Sequence, residues 1–289
     1  MTDPALDDLP PVADVIRTGG LAADKRLGQH FLVDPAILDR IAAAAAPLGD
    51  ATILEIGPGP GGLTRALLRA GASQLVAIER DRRCVELLQP LITAAQGRLR
   101  VIQGDALALD RRSLLAGPTI IVANLPYNVA SELIVRWLRE PADLRRLVVL
   151  VQREVGARLA AAPNTDAYGR LSVLAQWAAA VDTCFDLPPG AFRPPPKVHS
   201  RLVRLTPYTT PPHPAPLTAL ERITAAAFGQ RRKMLKTSLK AVVPDPSALC
   251  VAIDIDPTRR AETLTIAEFA KLARTERAMA ASRSGDATP

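Results

Sequence analysis

Residues 52–64, with the sequence TILEIGPGPGGLT, constrain the fold more than any other part of the chain. A short apolar run leads into a burst of glycine and proline and then into apolar residues at helical spacing. This pattern predicts a strand, a tight turn and the start of a helix. Gly57, Gly59 and Gly62 match the spacing of a dinucleotide-binding fingerprint, although a turn that binds nothing can need glycine for left-handed backbone just as well.

Two prolines in this turn, Pro58 and Pro60, bear on the kind of ligand it accepts. Proline has no backbone N–H, so each one removes a donor from a loop that would otherwise hold a pyrophosphate. A ligand with an adenosine and no phosphate is unaffected by this loss. The turn therefore favours S-adenosylmethionine over a nicotinamide dinucleotide.

Further predicted strands follow the glycine turn at regular intervals. Apolar runs at residues 75–78, 100–103, 119–123 and 147–151 are separated by segments with helical periodicity. Such alternation is typical of a doubly wound α/β sheet with parallel strands. Two later strands, before and after a proline-rich loop, are expected to be antiparallel to each other. We therefore predict a Rossmann-like sheet that is mostly parallel, with its last strand antiparallel.

Polar residues stand where the predicted strands end. Glu79 follows the second strand, Asp105 the third and Asn124 the fourth. Because the carboxyl ends of parallel strands meet at one edge of the sheet, these side chains are expected to lie together at a ligand site. Either acid taken alone could be a helix cap or a solvated charge.

The rest of the chain divides into segments by composition. Residues 1–24 are expected to be a loose leader and residues 25–210 the α/β domain. Prolines at residues 209–216 predict a linker. Helical patterns then predict a small all-α domain over residues 217–280, followed by a disordered tail at residues 281–289.

Composition indicates the class of partner and the compartment. The 289-residue chain has 36 Lys and Arg against 29 Asp and Glu, a net charge of +7, which favours a polyanionic partner. Apolar runs are too short to span a membrane, and the acidic N-terminus is unlike a signal or transit peptide. The 3 cysteines are far apart and lack a CxxC or a histidine cluster. We therefore expect reduced thiols, no metal site, no membrane contact and a cytoplasmic location.

The pentapeptide NLPYN at residues 124–128 points to a specific chemistry. An exocyclic amine on an aromatic base is a poor nucleophile because its lone pair is delocalised into the ring. The Asn124 side-chain oxygen and the backbone carbonyl of Leu125 or Pro126 are neutral acceptors, which could hold both amine hydrogens and draw the nitrogen towards tetrahedral geometry. Proline donates no competing N–H, and Tyr127 offers a stacking surface for a base taken out of its helix. The alternative is an ordinary Asn-Pro turn that closes a strand.

A series of motifs, taken in order, resembles one family. These motifs are KRLGQHFLVD, ILEIGPGPGG, AIERD, GDAL, NLPYN, AFRPPPKVHS and FGQRRKML. Over residues 12–275 the chain resembles the bacterial small-subunit (16S) ribosomal RNA adenine dimethyltransferases. The resemblance implies a class I methyltransferase domain that uses S-adenosylmethionine and dimethylates two adjacent adenosines near the 3′ end of small-subunit ribosomal RNA. It also implies the small ribosomal subunit as partner, a monomer, and a link to subunit assembly.

The resemblance also implies which residues hold the cofactor. His30 and Leu32 would close over it, and Gly57 would touch its methionine part. Glu79 would accept hydrogen bonds from the ribose hydroxyls, and Asp105 from the adenine amine.

On the side of the target base, the resemblance implies that Asn124 faces both the cofactor and the base. Phe192, in the AFRPPPKVHS motif, would pack on the target adenine opposite Tyr127.

A cluster of cations in the predicted C-terminal domain fits contact with RNA. It lies in a segment of helical pattern that runs to about residue 240, and no acid interrupts it. A helix would place most of these cations near one face, where they suit phosphates better than bases, although a solvated helix face has the same composition. The cations are Arg231, Arg232, Lys233, Lys236 and Lys240.

Three other functions remain open at this point. A large-subunit resistance-type ribosomal RNA dimethylase shares the fold and the cofactor, but that family typically has isoleucine where Leu125 stands and lacks FGQRRKML. An assembly factor that checks immature small subunits mainly by binding them is a second alternative. A NAD-dependent dehydrogenase is a third, and it would leave NLPYN unexplained.

Overall fold

The computed structural model describes residues 3–285, apart from the side chains of Lys25 and of residues 282–285. The chain divides into two compact units: the first takes in the chain up to Gly156 and Asp182–Pro207, the second Ala157–Val181 and the chain from Tyr208. The predicted boundary near residue 210 therefore needs correction, because residues 157–181 belong to the second unit. The reason is aromatic packing, since Tyr168 is fully buried and its ring meets Phe228 edge-on.

A seven-stranded sheet forms the core of the first unit. In chain order the strands of the described residues are β1 (Phe31–Leu32), β2 (Thr52–Ile56), β3 (Leu75–Glu79), β4 (Leu99–Gln103), β5 (Thr119–Asn124), β6 (Leu144–Gln152), β7 (Ala179–Leu187), β8 (Phe192–Arg193) and β9 (Ser200–Pro207). The sheet order is β4-β3-β2-β5-β6-β9-β7, and β1 pairs separately with β8. Strands β2 to β6 pair in parallel, and β9 lies antiparallel to β6. The predicted doubly wound sheet with an antiparallel last strand is confirmed.

Helices flank the sheet and build the second unit. They are α1 (Pro4–Asp7), α2 (Val12–Thr18), α3 (Pro35–Ala45), α4 (Gly62–Arg69), α5 (Arg82–Leu87), α6 (Gln89–Ala94), α7 (Arg111–Leu114), α8 (Ala130–Arg139), α9 (Arg153–Leu159), α10 (Arg170–Ala178), α11 (Leu217–Gly229), α12 (Leu235–Ser238), α13 (Pro246–Val251) and α14 (Ile266–Gly285). Helix α3 begins at a capping residue, with the Asp34 side chain accepting from the Ala36 N–H at 2.9 Å. Among the described helices, not one has the length and apolar character needed to cross a membrane.

The glycine turn between β2 and α4 needs its glycines for two separate reasons. Gly57, Gly59 and Gly61 all have positive φ, at 69°, 55° and 87°, which side chains rarely tolerate. The turn is also closely packed: a Cβ at Gly59 would lie 3.1 Å from the ring of Phe31. The backbone therefore passes close to the segment that precedes α3, and the two together shape one edge of the sheet.

The predicted loose leader is wrong, because the described part of it is folded onto the first unit. Leu6 in α1 is fully buried in the main core cluster. Arg65 donates to the Pro10 carbonyl at 2.9 Å, Arg69 pairs with Asp7 at 3.0 Å, and Arg98 pairs with Asp3. The composition of the leader gave no sign of this, since its partners are arginines far away along the chain.

The second unit is helical, and two of its details differ from the prediction. Helix α11 ends at Gly229 instead of running to residue 240, since residues 230–233 form turns before the short helix α12. Helix α14 continues to Gly285, so residues 281–285 of the predicted tail are helical. Residues 286–289 lie outside the described residues. Phe228 and Phe269, 5.5 Å apart between ring centroids, join Tyr168 in the core of this unit.

Candidate active site

A cavity of about 150 Å³ lies in the first unit, where the parallel strands end together. Residues 26–31, the glycine turn and the segments after β3, β4 and β5 all contribute to its wall. Of the predicted site residues it brings together His30, Gly57, Glu79, Asp105, Asn124, Leu125, Pro126 and Tyr127.

Glu79 presents a buried carboxyl group to this cavity, with 6% of the residue exposed. Its Oε1 accepts from the Asp81 backbone N–H at 2.8 Å, and its Oε2 accepts from the Gly59 N–H at 2.9 Å. Burial raises the pKa of Glu79, and these two donors partly offset the rise because they stabilise the charged form. Each carboxylate oxygen keeps a second lone pair, so the group can accept hydroxyl donors from a ligand.

Asp105 lies on the neighbouring part of the wall, just after β4. Its Oδ1 accepts from the Leu107 N–H at 2.9 Å, and its Oδ2 lies 3.5 Å from the Arg80 guanidinium. The Arg80 side chain is 67% exposed, so this ion pair is weak. Asp105 can therefore accept from an amine that enters the cavity.

Among the residues that the structure describes, one hydrogen bond orients the Asn124 side chain. Its Nδ2 donates to the His30 backbone carbonyl at 2.9 Å. A carbonyl oxygen only accepts, so this contact fixes which end of the amide carries the nitrogen. The Asn124 Oδ1 consequently stays available as an acceptor, as the sequence predicts.

A second acceptor comes from the turn that follows Asn124. The Pro126 carbonyl already accepts from the Val129 N–H at 3.2 Å. Of the two carbonyls that the sequence leaves open, this favours Leu125 as the partner of Asn124 in holding an amine.

Tyr127 and His30 form a pair of rings beside these acceptors. Their centroids are 5.9 Å apart and their planes 24° from parallel. The Tyr127 hydroxyl is bonded to Ser200 Oγ at 2.8 Å, and burial raises the pKa of this hydroxyl, so it stays neutral. The His30 Nδ1 lies 2.8 Å from the Pro194 carbonyl and must carry a proton to bond it. Both rings are thereby held in place.

Of the residues predicted to contact the cofactor or the target base, Leu32 and Phe192 do not line the cavity. They pair with each other across β1 and β8, and they are 6% and 2% exposed within the main core cluster. Successive residues of a strand face opposite sides, so Phe31 lines the cavity while Leu32 enters the core. The expectation that Phe192 presents its ring to a base is therefore not met in this structure.

Gln29, Phe31 and Arg80 are among the cavity-lining residues that the sequence did not identify. Gln29 and Phe31 flank His30 in the polar–aromatic run of KRLGQHFLVD, which was the available signal. Arg80 stands between Glu79 and Asp81 in AIERD, and its position directly after a strand end could have identified it.

In the second unit, one member of the predicted cation cluster, Arg231, is engaged by an acid of the same unit. Arg231 Nε pairs with Glu262 at 3.0 Å and its Nη2 donates to the Thr165 carbonyl at 3.3 Å. This side chain therefore links segments of its own unit and is a poor candidate for a phosphate contact. The other members of the cluster are exposed. They lie on turns and on short helical segments around α12, and so do not share one face of a single helix: Arg232, Lys233, Lys236 and Lys240.

A family model described as ribosomal RNA adenine dimethylase matches residues 20–276. The chain belongs to this family. The ribosomal RNA small subunit methyltransferase A of Rhodospirillum rubrum is 53% identical over 268 residues, which cover 93% of each chain. The match of the dimethylase family spans both units, and it excludes the dehydrogenase alternative.

Solved structures agree with the dimethylase fold. A dimethyladenosine transferase from Plasmodium falciparum has a TM-score of 0.74 at 25% identity and covers 84% of this chain and 96% of its own. The 23S ribosomal RNA methyltransferase ErmE has a TM-score of 0.66 at 24% identity, covering 86% and 99%; at that identity the likeness shows the fold alone. The predicted class I methyltransferase fold with C-terminal helices is confirmed.

Proposed function

We propose that this dimethylase transfers methyl groups from S-adenosylmethionine to the N6 atoms of two adjacent adenosines near the 3′ end of 16S ribosomal RNA. It acts as a monomer in the cytoplasm, on small ribosomal subunits during their assembly. The observation that carries the proposal is the Asn124 amide, whose nitrogen is tied to the His30 carbonyl so that its oxygen can accept from an amine. The name of the Rhodospirillum rubrum relative supports the choice of the small subunit.

The residues around the cavity fit S-adenosylmethionine, which supplies an electrophilic methyl group on a sulfonium. Glu79 and Asp105 are acceptors suited to ribose hydroxyls and to the adenine amine. The glycine turn offers few N–H donors, because Pro58 and Pro60 have none, so it disfavours a phosphate and suits a cofactor without one. We assign Gly57 to the methionine part of the cofactor and His30 to the segment that covers it.

On the target side, the chain polarises the amine without a strong base. The Asn124 Oδ1 and the Leu125 carbonyl would each accept one N6 hydrogen of the unmethylated amine, which would draw its lone pair out of conjugation with the ring. Once a C–N bond has replaced the C–S bond of the sulfonium, the nitrogen is acidic, and its proton would leave to water. Tyr127 supplies the surface on which a flipped adenine stacks.

Phosphate contacts in the second unit are assigned to the exposed cations. Arg232, Lys233, Lys236 and Lys240 would neutralise RNA backbone charges and position the substrate without reading its sequence. Arg231 is left out of this set because its guanidinium is engaged by Glu262.

Incubation with labelled S-adenosylmethionine and unmethylated small subunits, followed by mapping of the modified bases, tests the proposal. We expect two adjacent dimethylated adenosines near the 3′ end. Large subunits, incubated in parallel, are the matched control and should stay unlabelled. Label confined to the large subunit would support the resistance-type enzyme instead. Tight binding to small subunits without any label would support a factor that acts by binding.

A further inference from the structure

Residues 24–31, here called the strap, include the cavity-lining residues 26–31 and make hydrogen bonds to residues at or just after the ends of β3 and β5. Towards the predicted cofactor acids, Gln29 bonds Asp81 at 2.8 Å. Towards the predicted target, the His30 carbonyl holds the Asn124 amide at 2.9 Å. Because these two contacts come from neighbouring residues of one short segment, a displacement of the strap at Asp81 would also displace it at Asn124.

Both ends of the Gln29 amide have partners that cannot exchange roles. The Asp24 backbone N–H donates to Oε1 at 2.8 Å, and Nε2 donates to the Asp81 Oδ2 at 2.8 Å. A backbone N–H only donates and a carboxylate only accepts, so the amide has one possible orientation. Gln29 thereby closes the strap on itself and ties it to Asp81.

Asp81 in turn touches the cofactor acid. Its backbone N–H donates to Glu79 Oε1 at 2.8 Å. Its side chain is 6% exposed and is held by Arg83 through a 2.6 Å contact, which keeps the pKa of Asp81 down at about 2. Asp81 is therefore a fixed, charged acceptor, and the bond from Gln29 is charge-assisted.

We propose that Gln29 is a positioning residue that couples cofactor binding at Glu79 to the orientation of the Asn124 amide. The inference rests on the proposed function, since it assigns Glu79 to the cofactor and Asn124 to the target amine. Without the Gln29 bond the strap loses its anchor at Asp81. The His30 carbonyl then no longer stays where it selects one end of the Asn124 amide.

The first test compares Gln29→Ala with Gln74→Ala. Gln74 accepts a hydrogen bond from the Thr52 hydroxyl at 3.2 Å near the start of β2, far along the strand from the cavity, so it is a matched control. For Gln29→Ala, calorimetry should show the dissociation constant of S-adenosylmethionine raised about tenfold, the effect of one charge-assisted hydrogen bond. The methylation rate at saturating cofactor should fall as well, because Asn124 is released. Gln74→Ala should match the wild type in both.

Hydrogen exchange supplies a readout that needs neither cofactor nor activity. In the unliganded protein, Gln29→Ala should speed exchange of the strap amides, while amides of the central strands keep their protection. General destabilisation would speed exchange in both regions. Faster exchange in both regions would therefore show that Gln29 only stabilises the fold.

The second test exchanges donor and acceptor. Gln29→Glu alone sets a second carboxylate against Asp81 and should weaken cofactor binding more than Gln29→Ala does. Adding Asp81→Asn gives the pair one donor, one acceptor and its original net charge again, with the amide and the carboxylate exchanged. The Arg83 side chain is exposed and can pair with the carboxylate at position 29 instead. The double variant should bind the cofactor more tightly than Gln29→Glu, a non-additive result that only a direct contact explains.

Two results would overturn the inference. One is a Gln29→Ala variant that binds cofactor and methylates like wild type; the other is a double variant in which the two changes simply add. Neither result touches the proposed function, which fails only if the wild-type protein does not bind S-adenosylmethionine or modifies other bases.

Discussion

Replacing Glu79 by glutamine is a severe test of the site, because the change keeps the shape of the side chain and alters only its hydrogen bonding. Both carboxylate oxygens accept backbone N–H groups, from Asp81 at 2.8 Å and from Gly59 at 2.9 Å. An amide has one acceptor end and one donor end. In either orientation, one backbone N–H therefore meets an NH2 group.

The size of the effect follows from burial. Hydrogen bonds to a charged acceptor contribute about 1.5–3 kcal/mol each, and a buried donor left unsatisfied costs a similar amount. Burial raises the pKa of Glu79, because burying the charged carboxylate costs free energy. The neutral amide avoids that cost, so the lower end of the range of about 1.5–3 kcal/mol applies. We expect Glu79→Gln to reduce the free energy of unfolding by about 2 kcal/mol. Cofactor affinity should fall about tenfold, for one ribose hydroxyl left without its acceptor, and further for Glu79→Ala.

Urea denaturation without cofactor and calorimetric titration with S-adenosylmethionine separate the two effects. Glu86→Gln is the matched control, since that carboxylate is 62% exposed and pairs with Arg82 on the surface of α5; its change should stay within about 0.5 kcal/mol. Loss of stability with unchanged cofactor affinity would show that Glu79 only supports the glycine turn. Wild-type values for both would refute the reasoning altogether.

The remaining predictions address chemistry, pH and RNA. Asn124→Ala should abolish methyl transfer while the fold and subunit binding persist, and near-normal dimethylation by this variant in the labelling assay would rule out the amine-holding mechanism. Glu55 is 1% exposed, and burial raises its pKa to about 8 from 4.5, so the folded protein holds a proton that the unfolded chain releases. The contribution of Glu55 to the free energy of unfolding should accordingly be greatest below about pH 4.5 and should fall by roughly 1.4 kcal/mol per pH unit up to about pH 8. Glu55→Gln should remove that slope when denaturation is measured over a series of pH values. An unchanged slope would mean that other groups cause it. Replacing Arg232, Lys233 and Lys236 together by glutamine should weaken subunit binding and flatten its dependence on salt, with cofactor affinity as the internal control; an unaltered salt slope would mean that RNA is held by other residues.

The sheet and much of the cavity could be predicted because local sequence determines them. Each central strand is a short apolar run that ends in a polar residue or a glycine, and parallel strands bring those ends together whatever the helices between them do. Their positions along the chain therefore predicted that Glu79, Asp105 and Asn124 lie together, and all three line the cavity. The prolines of the turn added a preference among ligands because they change the number of N–H donors.

Other features depend on partners too distant in sequence to be recognised. In the sequence Arg231 is one of several equivalent cations, but in the fold it pairs with Glu262, which lies beyond α13. Tyr168 joins the second unit because its ring meets Phe228 and its hydroxyl donates to the Leu264 carbonyl at 2.8 Å. Phe192 entered the core because a strand of two residues, too short to predict, pairs it with Leu32.

The folded leader has a consequence for synthesis of the chain. Asp3 is paired with Arg98, and α1 and α2 have 4 and 7 residues, too few to be stable as isolated helices. At about 5–20 residues per second, the ribosome needs roughly 5–20 s to reach the codon for Arg98 after it has made Asp3. During that interval Leu6 has no core to enter. Residues 3–18 therefore have to wait for partners that are translated long after them before they can pack on the first unit.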